Sequence, residues 1–262
     1  MRNPHPSALA HAGIERYDYP VNRLTQRLAA LALTLGLAAP LRVHAYTPTS
    51  SYETRKIQGF TVLFAPEVMS RPERAQAMAV FLDEKLGEAA RLLPSKAWTA
   101  LQKIRFWVEW EQTTAGSTYH PSRRWLTEHG YNPDKEKNIE LSNLAHVLAW
   151  GRSDQPMLVV HELAHAYHDT VLGFDEKKII AAYQHALRVG LYARVPYVHG
   201  GKKRAYALNN EHEFFAELTE AYFGLNDYFP YTRTDLRSYD PAGYALMESV
   251  WGRDDAPARL KK

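Results

Sequence analysis

The chain has 262 residues, of which 45% are hydrophobic and 23% charged, and it contains no cysteine. This much apolar material is enough for a buried core and excludes wholesale disorder. The absence of cysteine excludes disulfide scaffolds, thiol catalysis and zinc sites built on cysteine. The formal net charge of +3 indicates an anionic partner only if the excess basic residues lie in the folded part of the chain.

Residues 1–45 have the pattern of a secretory signal peptide. Arg23 and Arg27 precede an uncharged apolar run at residues 28–41, which is shorter than the roughly 20 residues that a membrane-spanning helix needs. Pro40 lies near the end of the run, and the residues up to Ala45 suit a cleavage site. The alternative is a buried N-terminal helix. We therefore predict export to the periplasm or the cell exterior, with no stable membrane anchor after cleavage.

The predicted signal also accounts for the positive charge. Five of the 32 basic residues and two of the 29 acidic residues lie in residues 1–45, which leaves 27 of each in residues 46–262. The compact basic run in that part, at residues 202–204, follows two glycines and is typical of a solvated loop. We therefore expect no nucleic-acid partner.

The first half of the mature chain predicts several strands and one long helix. Residues 46–55 are rich in Ser, Thr and Tyr and predict a loose leader. Ser70 and Pro72 predict the start of a helix with one apolar face, which Pro94 ends. Strands are predicted from β-forming runs and short alternating segments at residues 57–64, 104–111, 116–120 and 138–141.

The second half predicts a series of helices. Capping signals and apolar periodicity place them at residues 154–172, 175–191, 210–223 and 240–251. In the first of these, residues 157–171 contain no Lys or Arg, and their only carboxylates are Glu162 and Asp169. A helix that is apolar on most sides is buried. Residues 253–262 are charged and predict a frayed tail.

The buried helix carries the motif H-E-x-x-H, at His161, Glu162 and His165. Residues i and i+4 share one face of a helix, so both imidazoles can bind one zinc ion. Glu162 points about 100° away around the helix, where it can take a proton from a water activated by the metal. The same pattern can arise by chance in a chain with 12 histidines. A chance match would rarely fall in a buried helix, however, because an unpaired Glu there costs several kcal/mol.

A zinc site of this kind needs a third protein ligand. His168 lies on the same face, but it is about 10 Å along a straight helix from His161. In the helix at residues 210–223, Glu213 and Glu217 lie one turn apart, so one carboxylate can bind zinc while the other accepts the hydrogen of a ligating imidazole. His212 is the competing ligand. The alternative is a solvated acidic stripe whose first-turn Glu caps the helix.

With H-E-L-A-H followed by Y-A-L-N-N-E-H-E-F-F-A-E, the sequence over residues 150–225 resembles the gluzincin metallopeptidases. The resemblance is greatest to the catalytic domain of anthrax lethal factor and related secreted endopeptidases. It implies that Glu213 is the third zinc ligand, that Glu217 contacts a ligating His, and that Tyr206 donates its hydroxyl to the developing oxyanion. Tyr167, Tyr197 and His199 are rivals for the last role.

Peptidases of this kind commonly hold substrate as an added strand on a sheet edge. The order of elements in the family places that strand before the metal helix. Its members are predicted to be Asn138, Ile139, Glu140 and Leu141, with residues 117–120 as the alternative.

The sequence therefore predicts one exported α+β domain with a zincin-like fold, at residues 46–262. A small twisted sheet and the metal helix form one lobe, and the later helices form the other. We expect a zinc-dependent hydrolase with one Zn²⁺ that cleaves peptide bonds in a peptide or protein substrate. The alternatives are a zinc-containing binding module without catalysis and an amidase that acts on cell-wall peptides.

Overall fold

The computed structural model describes residues 46–113 and 116–252. The predicted signal at residues 1–45 and the predicted tail at residues 253–262 lie outside the described residues. Within the described part, no helix combines the length and the apolar character that crossing a membrane requires.

Seven strands and ten α-helices make up this part of the chain. The strands are β1 (Glu53–Ile57), β2 (Phe60–Phe64), β3 (Arg105–Val108), β4 (Ser117–His120), β5 (Asn138–Leu141), β6 (Val195–Pro196) and β7 (Lys202–Lys203). The helices are α1 (Pro66–Met69), α2 (Pro72–Leu92), α3 (Ser95–Leu101), α4 (Arg123–Glu128), α5 (Leu144–Ser153), α6 (Leu158–Tyr167), α7 (Lys177–Val189), α8 (Glu211–Phe223), α9 (Arg233–Tyr239) and α10 (Pro241–Trp251). The predicted α+β class is confirmed.

The first five strands form one mixed sheet in the order β1-β2-β3-β5-β4. β1 and β2 form an antiparallel hairpin, β3 is parallel to both β2 and β5, and β4 is antiparallel to β5. The single strand predicted at residues 57–64 is therefore a hairpin. Its turn is Gln58–Gly59, where both residues have positive φ, as the tight two-residue hairpin turn requires.

The strand order corrects the predicted substrate strand. β5, which comprises Asn138, Ile139, Glu140 and Leu141, pairs with β3 on one side and with β4 on the other, so it has no free edge for a peptide. β4 is the edge strand next to β5. The alternative at residues 117–120 therefore has the position that strand addition requires.

The two faces of the sheet are covered differently. One face carries Phe106 and Ile139, together with Ser117 and Tyr119 of β4. On this face Ser117 donates a hydrogen bond to Glu162, and Tyr119 donates one to Asp169. The opposite face carries Trp107, Glu109 and Glu140. It is covered by residues 47–52 and by the loop that contains a 3-10 turn at Pro133–Lys135.

The prediction that residues 46–55 form a loose leader is wrong for most of this segment. Tyr52 is buried and packs edge-on against Trp107, with ring centroids 4.9 Å apart. Thr47 and Thr49 accept hydrogen bonds from Asn132. These contacts hold residues 47–52 to the sheet, and β1 begins at Glu53.

The predicted metal helix differs from the structure at both ends. Asp154 ends α5 instead of starting the next helix, and α6 begins at Leu158. After Tyr167 the chain continues as a π-helix, His168–Leu172, up to Gly173. π-Helical turns inside longer helices occur frequently at functional sites.

Candidate metal centre

The candidate site lies where α6 packs against α8. α6 is buried almost all round because its sequence, L-V-V-H-E-L-A-H-A-Y, is apolar outside the motif. α8 begins where the side chain of Asn210 accepts a hydrogen bond from the backbone N–H of Glu213 at 2.8 Å. This cap places Glu213 in the first turn of α8, facing the middle of α6.

Three potential ligand atoms converge between the two helices. Nε2 of His161 lies 3.0 Å from Nε2 of His165 and 3.2 Å from Oε2 of Glu213, and His165 Nε2 lies 3.3 Å from the same oxygen. In a tetrahedral zinc site with bonds of about 2.0–2.2 Å, ligand atoms lie about 3.3–3.6 Å apart. The donor types suit a zinc ion, and the three distances lie at or up to 0.3 Å below this range.

A carboxylate holds the first imidazole in place. Oε1 of Glu220 lies 2.6 Å from Nδ1 of His161. With the ring hydrogen on Nδ1, the lone pair of Nε2 points at the triangle, as a metal ligand requires. The prediction that Glu217 makes this contact is wrong. Glu217 instead accepts a hydrogen bond from Asn226 at 3.2 Å.

The electrostatics of the triangle favour a positive charge. Burial alone would lower the pKa of His161, but its hydrogen bonds to Glu213 and Glu220 raise that pKa well above its usual value. Burial alone would raise the pKa of Glu213, but His165 and His161 hold it far below its usual range.

A buried acidic group lies behind His161. Glu217, Glu220 and Asp227 are all less than 9% exposed, so none of them belongs to a solvated stripe. Burial and the charges of Asp227 and Glu220 raise the pKa of Glu217 well above its usual value. Burial and the charge of Glu220 likewise raise the pKa of Asp227 to about 7. A cation on the other side of His161 would offset part of this repulsion.

Glu162, the middle residue of the motif, is also buried and has a partner that the sequence analysis missed. Its Oε1 accepts a hydrogen bond from Oγ of Ser117 at 2.7 Å. Ser117 is the first residue of the edge strand β4. The contact joins residues 45 positions apart, so no local sequence pattern could have indicated it.

Tyr206 lies beside the triangle. Its hydroxyl donates to Oε1 of Glu213 at 3.3 Å. Burial, followed by the charges of Glu213, Glu217 and Glu162, raises the pKa of Tyr206 far above its usual value. The phenol therefore stays protonated and can act as a hydrogen-bond donor at every physiological pH.

The competing residues lie away from the triangle. His168 is fully buried, and neither of its ring nitrogens has a hydrogen-bond partner among the described residues. Its ring packs against Phe174 and Phe215, and burial, with His212 and His165, lowers its pKa to about 3. His212 stacks on Phe174, with centroids 3.8 Å apart. Within the described residues, the clusters able to share a metal ion include neither His168 nor His212.

The rivals of Tyr206 have other surroundings. Tyr167 packs against Trp251, and Tyr197 contacts His199 and Tyr228.

Comparison of the chain with protein-family models, curated proteins and solved structures finds no match. The resemblance to gluzincin peptidases therefore stays a prediction that rests on the motifs themselves.

Proposed function

We propose that this protein is an exported zinc-dependent peptidase and that residues 46–262 form one zincin-like catalytic domain. The observation that carries the proposal is the convergence of His161 Nε2, His165 Nε2 and Glu213 Oε2 within 3.3 Å of one another. Two neutral imidazoles and one carboxylate are the donor set of many catalytic zinc sites.

These three residues would hold the ion. When bound, Zn²⁺ supplies a Lewis acid that polarises a carbonyl group and lowers the pKa of a water molecule. The cysteine-free composition leaves imidazole and carboxylate as the zinc-binding side chains of the chain, and the site uses both.

Glu162 is the proposed general base. It takes a proton from the attacking water and passes that proton to the departing amine, so the carboxylate is regenerated in each turnover. The 2.7 Å bond from Ser117 restrains one carboxylate oxygen and so supports a fixed orientation for proton transfer. A zinc-containing binding module has no need for this base.

Tyr206 is the proposed oxyanion donor. As water adds to the scissile carbonyl, negative charge develops on the carbonyl oxygen, and a protonated phenol stabilises it by a hydrogen bond. The high pKa of Tyr206 supports this role because the proton is not lost to solvent.

The position of β4 supports an extended peptide as substrate. β4 is the edge strand next to β5, and Ser117 at its start donates a hydrogen bond to Glu162, the proposed base. A peptide that adds to this edge by main-chain hydrogen bonds would pass beside Glu162.

The test is to purify the full chain, measure its zinc content, and assay hydrolysis of a mixed peptide library by mass spectrometry. We expect about one zinc per chain, and Glu162→Gln should retain the zinc but lose hydrolysis by about 10²- to 10⁴-fold. Glu84→Gln on the exposed side of α2 is the matched control. Undiminished cleavage by Glu162→Gln would refute the mechanism. Zinc binding without any cleavage would favour a binding module, and cleavage confined to cell-wall peptides would favour the amidase.

A further inference from the structure

A pocket lies on the opposite face of the sheet from α6. It has a volume of about 460 Å³, and its lining includes Tyr46, Tyr52, Trp110 and three carboxylates, those of Glu67, Glu109 and Glu111. A volume of this order is within the usual range for small-ligand pockets. The pocket is remote from the candidate metal centre because the sheet itself separates them.

The buried hydrogen-bond donors in the pocket are already used. Nζ of Lys135 lies 2.9 Å from Gln112 Oε1, 2.8 Å from Glu140 Oε1 and 2.7 Å from Glu109 Oε1. An ammonium group has three hydrogens to donate, so Lys135 has none left for a ligand.

The other two buried donors, Asn132 and Tyr52, also have no hydrogen left for a ligand. Both hydrogens of the Asn132 amide are donated, to Thr47 O and Thr49 Oγ1. The hydroxyl of Tyr52 donates to Glu109.

The Glu109 carboxylate, by contrast, can still accept hydrogen bonds from a ligand. Both bonds to the buried Glu109 carboxylate go to its Oε1, and no hydrogen bond from the described residues reaches its Oε2. Glu67 and Glu111 add two exposed carboxylates to the same lining. Because Lys135 is paired with Glu109 and Glu140, the surplus negative charge of the pocket comes from Glu67 and Glu111, and Oε2 of Glu109 is a further acceptor. These features suit a ligand that brings a cation with several donors.

The geometry favours an organic cation over a metal ion. Within the described residues, the side chains close enough to share a metal ion are those around His161, and the carboxylates of this pocket are not among them. Trp110 and Tyr46 add aromatic surface beside the carboxylates.

We propose that this pocket binds the primary ammonium group of a small ligand or a lysine-like side chain, with Glu109 as its main acceptor and the aromatic side chains against its apolar part. The proposal is independent of the proposed peptidase function, since it uses none of the residues of the metal centre.

The test is isothermal titration of the full chain with n-pentylammonium chloride, in the presence of a metal chelator so that the amine cannot bind zinc. We expect saturable binding at one site. Pentan-1-ol has the same chain without the charge, and it should bind at least about tenfold more weakly.

Variants locate the site. Glu109→Gln should weaken pentylammonium binding by about tenfold or more, because it removes the carboxylate that is proposed to accept the hydrogen bond of the ligand. Glu111→Gln changes an exposed side chain, so it tests the site even if Glu109→Gln does not fold, and it should weaken binding severalfold. Glu84→Gln is the control, and it should bind like the wild type. The absence of saturable binding to the folded wild type would overturn the proposal. Equal affinity for pentan-1-ol would do the same, as would unchanged binding in the folded variants.

Discussion

Replacing Glu220 by Gln is the sharpest test of how the candidate metal centre is organised. The substitution keeps the size and shape of the side chain but removes its charge. Oε1 of Glu220 lies 2.6 Å from Nδ1 of His161, and the residue is 6% exposed. Water therefore cannot readily replace the lost interaction.

The expected effect follows from the two kinds of hydrogen bond. A bond to a charged group contributes about 1.5–3 kcal/mol, and a neutral bond contributes about 0.5–1.5 kcal/mol. Gln can still accept through its amide oxygen, so the loss is the difference, about 1–1.5 kcal/mol. We therefore expect zinc affinity to fall by about tenfold, at the lower end of the range of about 10- to 100-fold for residues that orient a metal ligand.

Glu217→Gln provides the matched control. Glu217 lies on the same helix and is equally buried, but its hydrogen bond goes to Asn226 instead of His161. Zinc affinity would be measured by competition with a chromophoric chelator, and folding by circular dichroism. A loss of affinity in Glu217→Gln with none in Glu220→Gln would refute the assignment and restore the role that the resemblance implies for Glu217.

Three further predictions concern proton transfer, charge stabilisation and pH. Ser117→Ala removes the hydrogen bond to Glu162, so peptide hydrolysis should fall by about tenfold with zinc content unchanged; unaltered rates would exclude Ser117 from positioning the base. Tyr206→Phe removes the proposed oxyanion donor, so kcat should fall by about 10²- to 10³-fold, and a change confined to KM would contradict this role. The pKa of Asp227 is raised from its ordinary 3.8 to about 7 in the folded chain. The folded state therefore binds more protons than the unfolded state between these values, and the stability of the metal-free chain should fall as the pH rises from about 4 to 7. Asp227→Asn should flatten this dependence in thermal unfolding, and an unchanged slope would assign it to other groups.

Much of the local structure could be predicted from the sequence. Apolar periodicity and Pro72 indicated α2, and Asn210 and Asp240 indicated the starts of α8 and α10. These signals are local, because a cap or an apolar face depends on residues within one or two turns. The spacing of His161 and His165 likewise placed two imidazoles on one face of a helix.

Long-range contacts could not be predicted in the same way. β5 alternates polar and apolar residues, as an edge strand can, and only pairing with both β3 and β4 makes it internal. The acid that contacts His161 is decided by how α6 and α8 pack. Glu213, Glu217 and Glu220 share one face of α8, and the packing places the last of these against Nδ1.

The sequence alone indicates which residue types are available for the proposed metal site. With no cysteine and with H-E-x-x-H on an apolar helix, imidazole and carboxylate were the available ligands. Only the folded structure shows which carboxylates contact His161, that Ser117 bonds to Glu162, and that Lys135 and Asn132 have no donors left for the pocket on the opposite face of the sheet. The physical reason is that these contacts join residues far apart in sequence, whose distances are set by the packing of the sheet and the helices rather than by any local pattern.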